Sequence, residues 1–421
     1  MKNLKWSKKM AEELIVKTEK KDEDKLWPVE NSNKKPSKKW LIFLIIGCTF
    51  LIAGIGLILT AFLIPKTESE NLSFPEIPSQ KSNKEKIYSN LTGEELADAS
   101  LKNAPTFCIQ TPNGTDGARP QAGLTEAGVV FEAIAEAGIT RFAAIYQNPT
   151  SAIIGPIRSL RIYYLEWDTP FDCTIVHAGG SGDALAAVSS GRYRDLTENY
   201  AYMYRGTYQN RRWNNLFTTS SYLKKYNSDH GYNSSDVKGF TRLTPEESAK
   251  SRIDELATNK LEITTPTTNN TSELTAKVSN IRINLASSAN YNPIYIYNAD
   301  TNTYARSYAS AMSHDVYKCP NDDLGEKNPE DTCNLSNVNP SVVIAMIVQE
   351  KRASDNYHED ITTIGSGDAY ILQNGTAIKG SWHKSTREDQ IKFLDSNNQE
   401  IPLAPGQTFI TAVPTYGSVE Y

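Results

Sequence analysis

The stretch DCTIVHAGGSGDALAAVSSG, residues 172–191, gives the clearest indication of the fold. Its β-branched start predicts a short strand over residues 172–177. A loop follows at residues 179–182, which read Gly-Gly-Ser-Gly, and the next apolar run predicts a helix over residues 183–191. A strand, a glycine loop and a helix in succession are typical of an α/β fold.

The sequence before this stretch predicts further elements of the same α/β part. Residues 106–110 alternate like a strand, and residues 157–167, which follow a Gly-Pro pair, repeat apolar side chains at helical spacing. The apolar runs at residues 129–135 and 139–146 fit two interpretations, a β-hairpin or a helix followed by a strand. Together these elements predict an α/β domain, a mixed sheet with helices, over residues 93–263.

The C-terminal part has a different pattern. Short strand-like runs occur at residues 281–285, 291–297, 342–348, 369–372, 377–382, 391–394 and 407–413. Asn374-Gly375 and Asn397-Asn398 supply turns of the kind that connect hairpins. We therefore predict a mostly β domain over residues 276–421, separated from the first by a polar linker at residues 264–275.

One N-terminal transmembrane helix is predicted, because residues 40–64 contain no charged side chain. At about 1.5 Å rise per residue this segment spans about 37 Å, which is enough for a hydrocarbon core of about 30 Å. Lipidation at Cys48 is left open, since Ile-Ile-Gly-Cys resembles a lipoprotein cleavage box. We expect an uncleaved single-pass signal-anchor.

The orientation of this helix follows from its flanking charges. Four lysines precede it closely: Lys34, Lys35, Lys38 and Lys39. The N-terminal tail, residues 1–39, is therefore expected in the cytoplasm, and the domains after a stalk at residues 65–92 are expected on the extracytoplasmic side of the cell membrane.

The net charge of −5 is divided unequally along the 421 residues. Residues 1–39 hold 12 Lys and 7 acidic residues, a balance of 12 − 7 = +5, so the remainder carries −5 − 5 = −10. A basic tail is attracted to anionic lipid headgroups, whereas an acidic exterior argues against binding to nucleic acid. We expect the membrane as a partner and no nucleic acid.

Four of the five cysteines lie outside the predicted membrane helix. Cys319 and Cys333 bracket a polar loop, and an exported domain meets an oxidising compartment, so we predict a disulfide between them. Closing a loop of about 15 residues contributes about 3 kcal/mol. Cys108 and Cys173 are expected as buried free thiols in strand-like runs. The sequence has no spacing typical of a metal site, and no cofactor is expected.

A candidate anion site is predicted around the glycine loop. Arg158 and Arg161 lie three residues apart, hence on one face of the predicted helix, and two guanidinium groups suit a carboxylate or phosphate. The start of the helix after the loop also favours an anion. The predicted ligand-binding residues are Arg158, Arg161, His177, Gly179, Gly180, Ser181, Arg141 and Glu132.

Two alternatives to this site remain open. In the first, the arginines pair with acids such as Glu132, Glu136 or Asp172, and the glycines only form a tight turn. In the second, the protein hydrolyses envelope polymers, with Glu132 or Glu136 and His177 as acid and base. The sequence has no Gly-x-Ser-x-Gly motif around these residues, so no catalytic residue is predicted.

An aromatic and basic segment follows the predicted anion site. It contains Tyr200, Tyr202, Tyr204, Tyr208, Arg211, Arg212 and Trp213. Tyrosine and tryptophan are amphipathic, so the segment fits a sugar-binding or peptide-binding surface. It also fits half-buried aromatic side chains of ordinary strands.

A series of short motifs extends over residues 100–415. They are RPQAGL (119–124), VFEA (130–133), GITRF (138–142), IGPIRS (154–159), VHAGGS (176–181), GSG (365–367), GSWHK (380–384) and PGQTFI (405–410). In these motifs the chain resembles the YerB-like lipoprotein family, a domain of unknown function (DUF3048) with N- and C-terminal parts. The resemblance implies a membrane-tethered, extracytoplasmic bacterial envelope protein without an assigned reaction.

The chain departs from this family at two positions. A spanning helix takes the place of the lipidated cysteine that anchors family members, and Asn214 stands where the family pattern has a histidine. A reaction that needs this histidine is therefore not expected here.

Taken together, we expect a membrane-anchored envelope protein that binds an anionic cell-wall or peptide ligand through its N-terminal domain. A hydrolase of envelope polymers is one alternative. A non-catalytic scaffold, which recruits an envelope enzyme through the β-rich domain, is the other.

Overall fold

The computed structural model describes residues 86–211, 213–257, 275–277, 279–321 and 324–421. The predicted membrane helix, the cytoplasmic tail and most of the predicted linker lie outside these ranges. None of the helices within them is long and apolar enough to cross a membrane.

Short strands dominate the described residues. In chain order they are β1 (Thr106–Pro112), β2 (Val129–Glu136), β3 (Ile139–Gln147), β4 (Thr174–Val176), β5 (Arg194–Leu196), β6 (Tyr204–Arg205), β7 (Leu216–Phe217), β8 (Thr275–Lys277), β9 (Asn280–Asn284), β10 (Pro293–Asn298), β11 (Thr303–Tyr308), β12 (Asp315–Lys318), β13 (Asn334–Asn337), β14 (Val342–Val348), β15 (Glu350–Arg352), β16 (Glu359–Ile361), β17 (Gly365–Gln373), β18 (Thr376–Lys384), β19 (Lys392–Leu394), β20 (Thr408–Pro414) and β21 (Ser418–Glu420). The α-helices are α1 (Ile162–Asp168), α2 (Gly182–Val188), α3 (Ser220–Asp229), α4 (Pro245–Ala257) and α5 (Pro329–Thr332). Short 3₁₀ helices cover Ala99–Asn103, Leu124–Glu126, Thr169–Phe171, Gln209–Arg211 and Ala289–Tyr291.

The largest sheet has the strand order β19-β18-β17-β14-β20-β2-β3-β1-β4-β5, and β8 pairs with β18. Two groups of strands run parallel: β20 pairs with β14 on one side and β2 on the other, and β4 pairs with β1 on one side and β5 on the other. The central strands β14 and β20 are apolar and buried along almost their whole length, as expected for strands covered on both faces.

Both predicted domains contribute to this sheet. β2 pairs with β20 from Val129 opposite Thr408 to Glu132 opposite Thr411. On one face, a single apolar cluster includes Phe131 and Trp167 from the first part and Ile344 and Trp382 from the second. The two parts therefore share a sheet and a core. The domain boundary at residues 264–275 remains a prediction from the sequence.

The remaining strands form small sheets. Four strands pair in the order β11-β10-β9-β21, and β12-β13, β15-β16 and β6-β7 are two-stranded. The first part thus combines a mixed sheet with few helices, and the second is mostly β.

The predicted helix over residues 157–167 is wrong in its first half, because α1 begins at Ile162. Residues 157–161 are engaged elsewhere: Ile157 N donates to Leu216 O at 2.8 Å, and Leu160 N donates to Gly179 O at 3.0 Å. The carbonyls of Arg158 and Leu160 also accept hydrogen bonds from Ala178 N and Ser181 N, whereas a helix would use them for the N–H groups four residues later. Of the two interpretations for residues 129–146, the structure has the hairpin, formed by β2 and β3.

Two disulfides are present among the described cysteines. Cys319 and Cys333 are bonded, with Cα atoms 4.4 Å apart. Cys108 on β1 and Cys173 beside β4 are also bonded, so the expectation of free thiols is wrong. Their parallel strands are neighbours, which brings the two cysteines, 65 residues apart in sequence, to a Cα separation of 5.7 Å.

Candidate functional site

Six of the eight predicted ligand-binding residues, all except Arg141 and Glu132, lie where the parallel strands β1, β4 and β5 end. Arg158 N donates to Gln110 O at 2.8 Å, so the segment with Arg158 runs beside the end of β1. Ala178 N donates to Arg158 O at 3.1 Å, which joins the same segment to the chain after β4. In α/β folds ligands bind at the carboxyl ends of such strands.

We call this region the carboxyl-end site and define it by Arg158, Arg161, His177, Gly179, Gly180 and Ser181. The extended segment before α1 and the loop before α2 lie side by side. Leu160 links them through two backbone hydrogen bonds, to Gly179 and Ser181, at 3.0 and 3.1 Å. The two segments are therefore neighbours. Arg158 and Arg161 lie on extended backbone, however, so the predicted common helical face for the two arginines is wrong.

Arg161 and Arg141 both pair with Glu136, whose single carboxylate at the end of β2 offsets one of their two positive charges. Arg161 Nη2 lies 2.6 Å from Glu136 Oε2, and Arg141 Nη2 contacts Glu136 Oε1. The side chains of Arg161, Arg141 and Glu136 are 5%, 9% and 12% exposed. The alternative that the sequence left open, ion pairs for Arg158 and Arg161, is present for Arg161. Arg141, which that alternative did not include, is paired in the same way.

Arg158 differs from both. Its side chain is half-buried and makes neither a hydrogen bond nor an ion pair within the described residues. Burial lowers the pKa of its guanidinium, and the nearby carboxylates of Asp116 and Glu136 act in the opposite direction. The group remains a cation because an arginine does not deprotonate in proteins. The site therefore carries one positive charge without a direct partner.

His177 holds the loop in place. Its ring is fully buried, with Nδ1 2.7 Å from Gly179 O and Nε2 2.8 Å from Asp195 Oδ1. Because a carbonyl oxygen only accepts, Nδ1 is the donor in the first of these contacts. Both ring nitrogens are engaged inside the chain, so His177 positions the loop and does not face a ligand.

The loop itself leaves polar groups free. Gly179 has a φ of 67° and open space around its Cα, and the N–H groups of Gly179 and Gly180 donate to no acceptor within the described ranges. Ser181 is 6% exposed, and its Oγ has no hydrogen-bond partner in the described part of the chain. It does not cap α2 through its side chain. With only seven residues, α2 adds little as a helix N-terminus.

A groove of about 670 Å³ extends from Arg161 and Ser181 to the β15-β16 hairpin. The charged groups on the hairpin side are paired among themselves. Arg352 Nη2 lies 3.7 Å from Glu359 Oε1, and His358 Nδ1 lies 2.6 Å from Asp355 Oδ2. The groove therefore adds polar surface and includes the exposed carboxylate of Asp183, while the cation of the site without a direct partner is Arg158.

Glu132 lies in the interior of the protein, where a ligand at the surface does not reach it. It has no exposed surface, and its Oε2 accepts a hydrogen bond of 2.7 Å from Arg306 Nη2. Thr140 Oγ1 donates to its other oxygen at 3.1 Å. Glu132 is therefore a partner of a buried arginine, which the sequence analysis did not identify.

The aromatic and basic segment divides in the structure. Arg211 is buried and pairs with Glu330, and Asn214 is buried beside Asp116. Trp213 and Tyr200 are 56% and 61% exposed. Arg212 lies outside the described residues. Within the described ranges, His, Cys, Asp and Glu form no group suited to hold a metal ion.

Comparison with known proteins identifies similar proteins for most of the described region. Residues 91–233 match the model "Protein of unknown function (DUF3048) N-terminal domain", and residues 281–410 match its C-terminal counterpart. A Bacillus subtilis protein named "Putative lipoprotein YerB" is 33% identical over 150 residues, which is 35% of this chain and 44% of that protein. The chain thus matches less than half the length of this relative.

A crystal structure of the YerB protein from Bacillus subtilis is also similar. It superimposes with a TM-score of 0.61 at 21% identity and covers 80% of this chain and 100% of that one. At this identity the likeness establishes the shared fold.

Proposed function

We propose, from the premise that the chain belongs to the DUF3048 family, that it is an envelope-associated protein that binds an anionic ligand at the carboxyl-end site. The ligand is a cell-wall polymer or a peptide that presents a carboxylate or phosphate to Arg158.

The location outside the cytoplasm rests on three observations. The name of the Bacillus subtilis relative describes a lipoprotein. Two disulfides, Cys108–Cys173 and Cys319–Cys333, fit an oxidising compartment. The uncharged segment at residues 40–64 with lysines before it predicts the same topology, a single-pass anchor with the C-terminal parts outside.

Arg158 is the observation that carries the proposed binding. A half-buried guanidinium has lost part of its hydration, and a charge in that situation gains from a partner more than an exposed one does. The two arginines beside it already share Glu136, so an added anion meets a net positive site. The free N–H groups of Gly179 and Gly180 are further donors for an oxyanion.

The contacts give less support to a hydrolase. Glu132 is enclosed with Arg306, Glu136 is shared by two arginines, and His177 has both nitrogens occupied. A general acid or base must reach the substrate, and these groups face the interior of the protein. The scaffold alternative requires no ligand-binding site, and the sedimentation experiment distinguishes it from the proposed function.

The test is sedimentation of the full-length chain with purified peptidoglycan that carries its anionic wall polymer. Arg158→Ala is expected to weaken retention by about tenfold, since a charge-assisted contact is lost. Arg282→Ala, which removes an exposed arginine on β9, is the matched control and should behave like wild type. Retention should also fall as salt is raised.

Equal retention of wild type and Arg158→Ala would contradict the proposal. Absence of retention in all three proteins would favour the scaffold. Soluble fragments released by wild type would favour the hydrolase.

A further inference from the structure

A second cleft lies next to the carboxyl-end site, on the far side of His177. It has a volume of about 540 Å³ and lies between the chain after β5 and the end of α3. Its lining includes Asp195, Glu198, Asn199, Tyr200, Tyr226 and His230. Small-molecule sites typically have volumes of about 300 to 1,000 Å³, with aromatic walls and a few placed polar groups.

Tyr200 presents a fixed aromatic face. Its side chain is 61% exposed, yet its hydroxyl donates to Glu198 Oε1 at 2.6 Å and accepts from Arg205 Nε at 2.9 Å. Arg205 Nη2 also contacts Glu198 Oε1 at 2.6 Å, which closes a triangle of hydrogen bonds. An exposed ring held in this way loses little conformational freedom when a ligand packs on it.

The opposite wall is also aromatic. The exposed ring of His230 stacks on Tyr226 with centroids 4.1 Å apart, and His230 Nδ1 lies 2.8 Å from Tyr226 O. The Tyr226 hydroxyl donates to Asp195 O at 2.7 Å. Both aromatic walls are therefore fixed by contacts within the chain before any ligand arrives.

Between the rings the cleft offers carboxylate oxygens as hydrogen-bond acceptors. Asp195 Oδ1 faces His177, and its other carboxylate oxygen has no partner in the described part of the chain. Glu198 uses one oxygen for Tyr200 and Arg205, and the guanidinium offsets its charge. Hydroxyl groups donate well to such oxygens, whereas an organic cation finds a carboxylate already neutralised.

We propose that this cleft binds one ring of a neutral saccharide. The C–H face of the ring stacks on Tyr200, and the ring hydroxyls donate to Asp195 and Glu198. His177 links the two regions, since it contacts Asp195 on one side and Gly179 on the other. A glycan could place a sugar ring in this cleft and an anionic group on Arg158, and it would then occupy the cleft and the carboxyl-end site together. This combined binding rests on the proposed function.

The test uses two neutral probes, β-1,4-linked tetramers of N-acetylglucosamine and of glucose, titrated into the full-length chain by calorimetry. Wild type is expected to bind at least one of them saturably, and Tyr200→Ala to weaken that binding by about tenfold. Tyr208→Ala, which removes a tyrosine 43% exposed outside this cleft, should bind like wild type. Equal unfolding temperatures of the three proteins show that folding is unaffected.

Arg158→Ala separates this proposal from the proposed function. It is expected to keep the affinity for the neutral tetramers, because these probes carry no anion. Wall-polymer retention that ignores Arg158, together with tetramer binding that depends on Tyr200, would overturn the proposed function alone. No binding of either tetramer, equal binding by Tyr200→Ala, or binding of tetramethylammonium in place of the tetramers would overturn the sugar cleft.

Discussion

Glu132 and Glu136 lie four residues apart on β2, and the charges around them are balanced in different ways. Glu132 is fully buried and meets one arginine, Arg306, which is also fully buried. Glu136 lies at the rim, where Arg141 and Arg161 share its carboxylate and Arg158 lies close by without a direct partner. We call Glu132 and Arg306 with their contacts the interior cluster, and Glu136 with Arg141, Arg161 and Arg158 the rim. The interior cluster has its charges paired and contributes to stability, whereas the rim retains positive charge for a ligand.

The interior cluster continues beyond this ion pair. Arg306 also contacts His314 Nδ1, and His314 Nε2 lies 3.2 Å from Gln121 Oε1. Burial and the neighbouring arginines Arg306 and Arg119 hold the pKa of His314 well below its usual range, so this imidazole is neutral. A neutral ring next to Arg306 accepts a hydrogen bond without adding a second charge.

The largest expected effect is on the interior cluster. Glu132→Ala leaves Arg306 buried without its carboxylate and is expected to lower the free energy of unfolding by about 4 kcal/mol. Urea denaturation of the full chain measures this change. Glu388→Ala, at an exposed position, should change it by less than about 0.5 kcal/mol. A loss below about 1 kcal/mol for Glu132→Ala would mean that Arg306 does not depend on Glu132 as its buried partner.

A smaller effect is expected at the rim. Glu136→Gln removes the charge that Arg141 and Arg161 share but keeps hydrogen-bond acceptance at one atom, so unfolding should cost about 2 kcal/mol less. The same change leaves three arginines without a carboxylate and should tighten binding to an anionic wall polymer. Denaturation and polymer titration of one preparation check both results. Weaker polymer binding by a folded Glu136→Gln protein would contradict the division between interior and rim.

A pH-dependent effect is expected at a carboxylate that has no arginine partner. Burial raises the pKa of Glu350, at the start of β15, to about 7, although a hydrogen bond from Tyr416 at 2.7 Å lowers it and the charge of Glu359 raises it. The folded state therefore holds this proton more tightly than the unfolded state does. Its contribution to stability is complete below about pH 4.5 and is lost as the pH rises through about 7.

Thermal unfolding at a series of pH values tests this expectation. Wild type should lose stability relative to Glu350→Gln between about pH 5 and pH 8, since the amide cannot ionise. A difference between the two proteins that stays constant over this interval would show that Glu350 is ionised in the fold already at low pH.

The sequence predicted the elements with strong local patterns. The strand before the glycine loop, the helix after it and the C-terminal strands lie within a few residues of their predicted positions. The first half of the helix predicted at residues 157–167 was wrong because its backbone groups bond to Leu216 and Gly179, which are distant in sequence. Periodicity describes a segment by itself and carries no record of such partners.

The same limit explains what was missed at the site. Arg306 lies between Tyr304 and Tyr308 on β11, and all three face inward, but the pattern does not reveal that Glu132, 174 residues earlier, is the partner. The bond between Cys108 and Cys173 likewise depends on the pairing of β1 with β4. By contrast, the closeness of Arg158 to the glycine loop followed from their positions around one strand.

The most direct test of the account is the Kd of a soluble anionic wall polymer for wild type, Arg158→Ala and Glu136→Gln, measured side by side. We expect opposite changes: Arg158→Ala weakens binding by about tenfold, and Glu136→Gln strengthens it. If both variants bind as wild type does, the rim holds no anion and the proposed function is wrong.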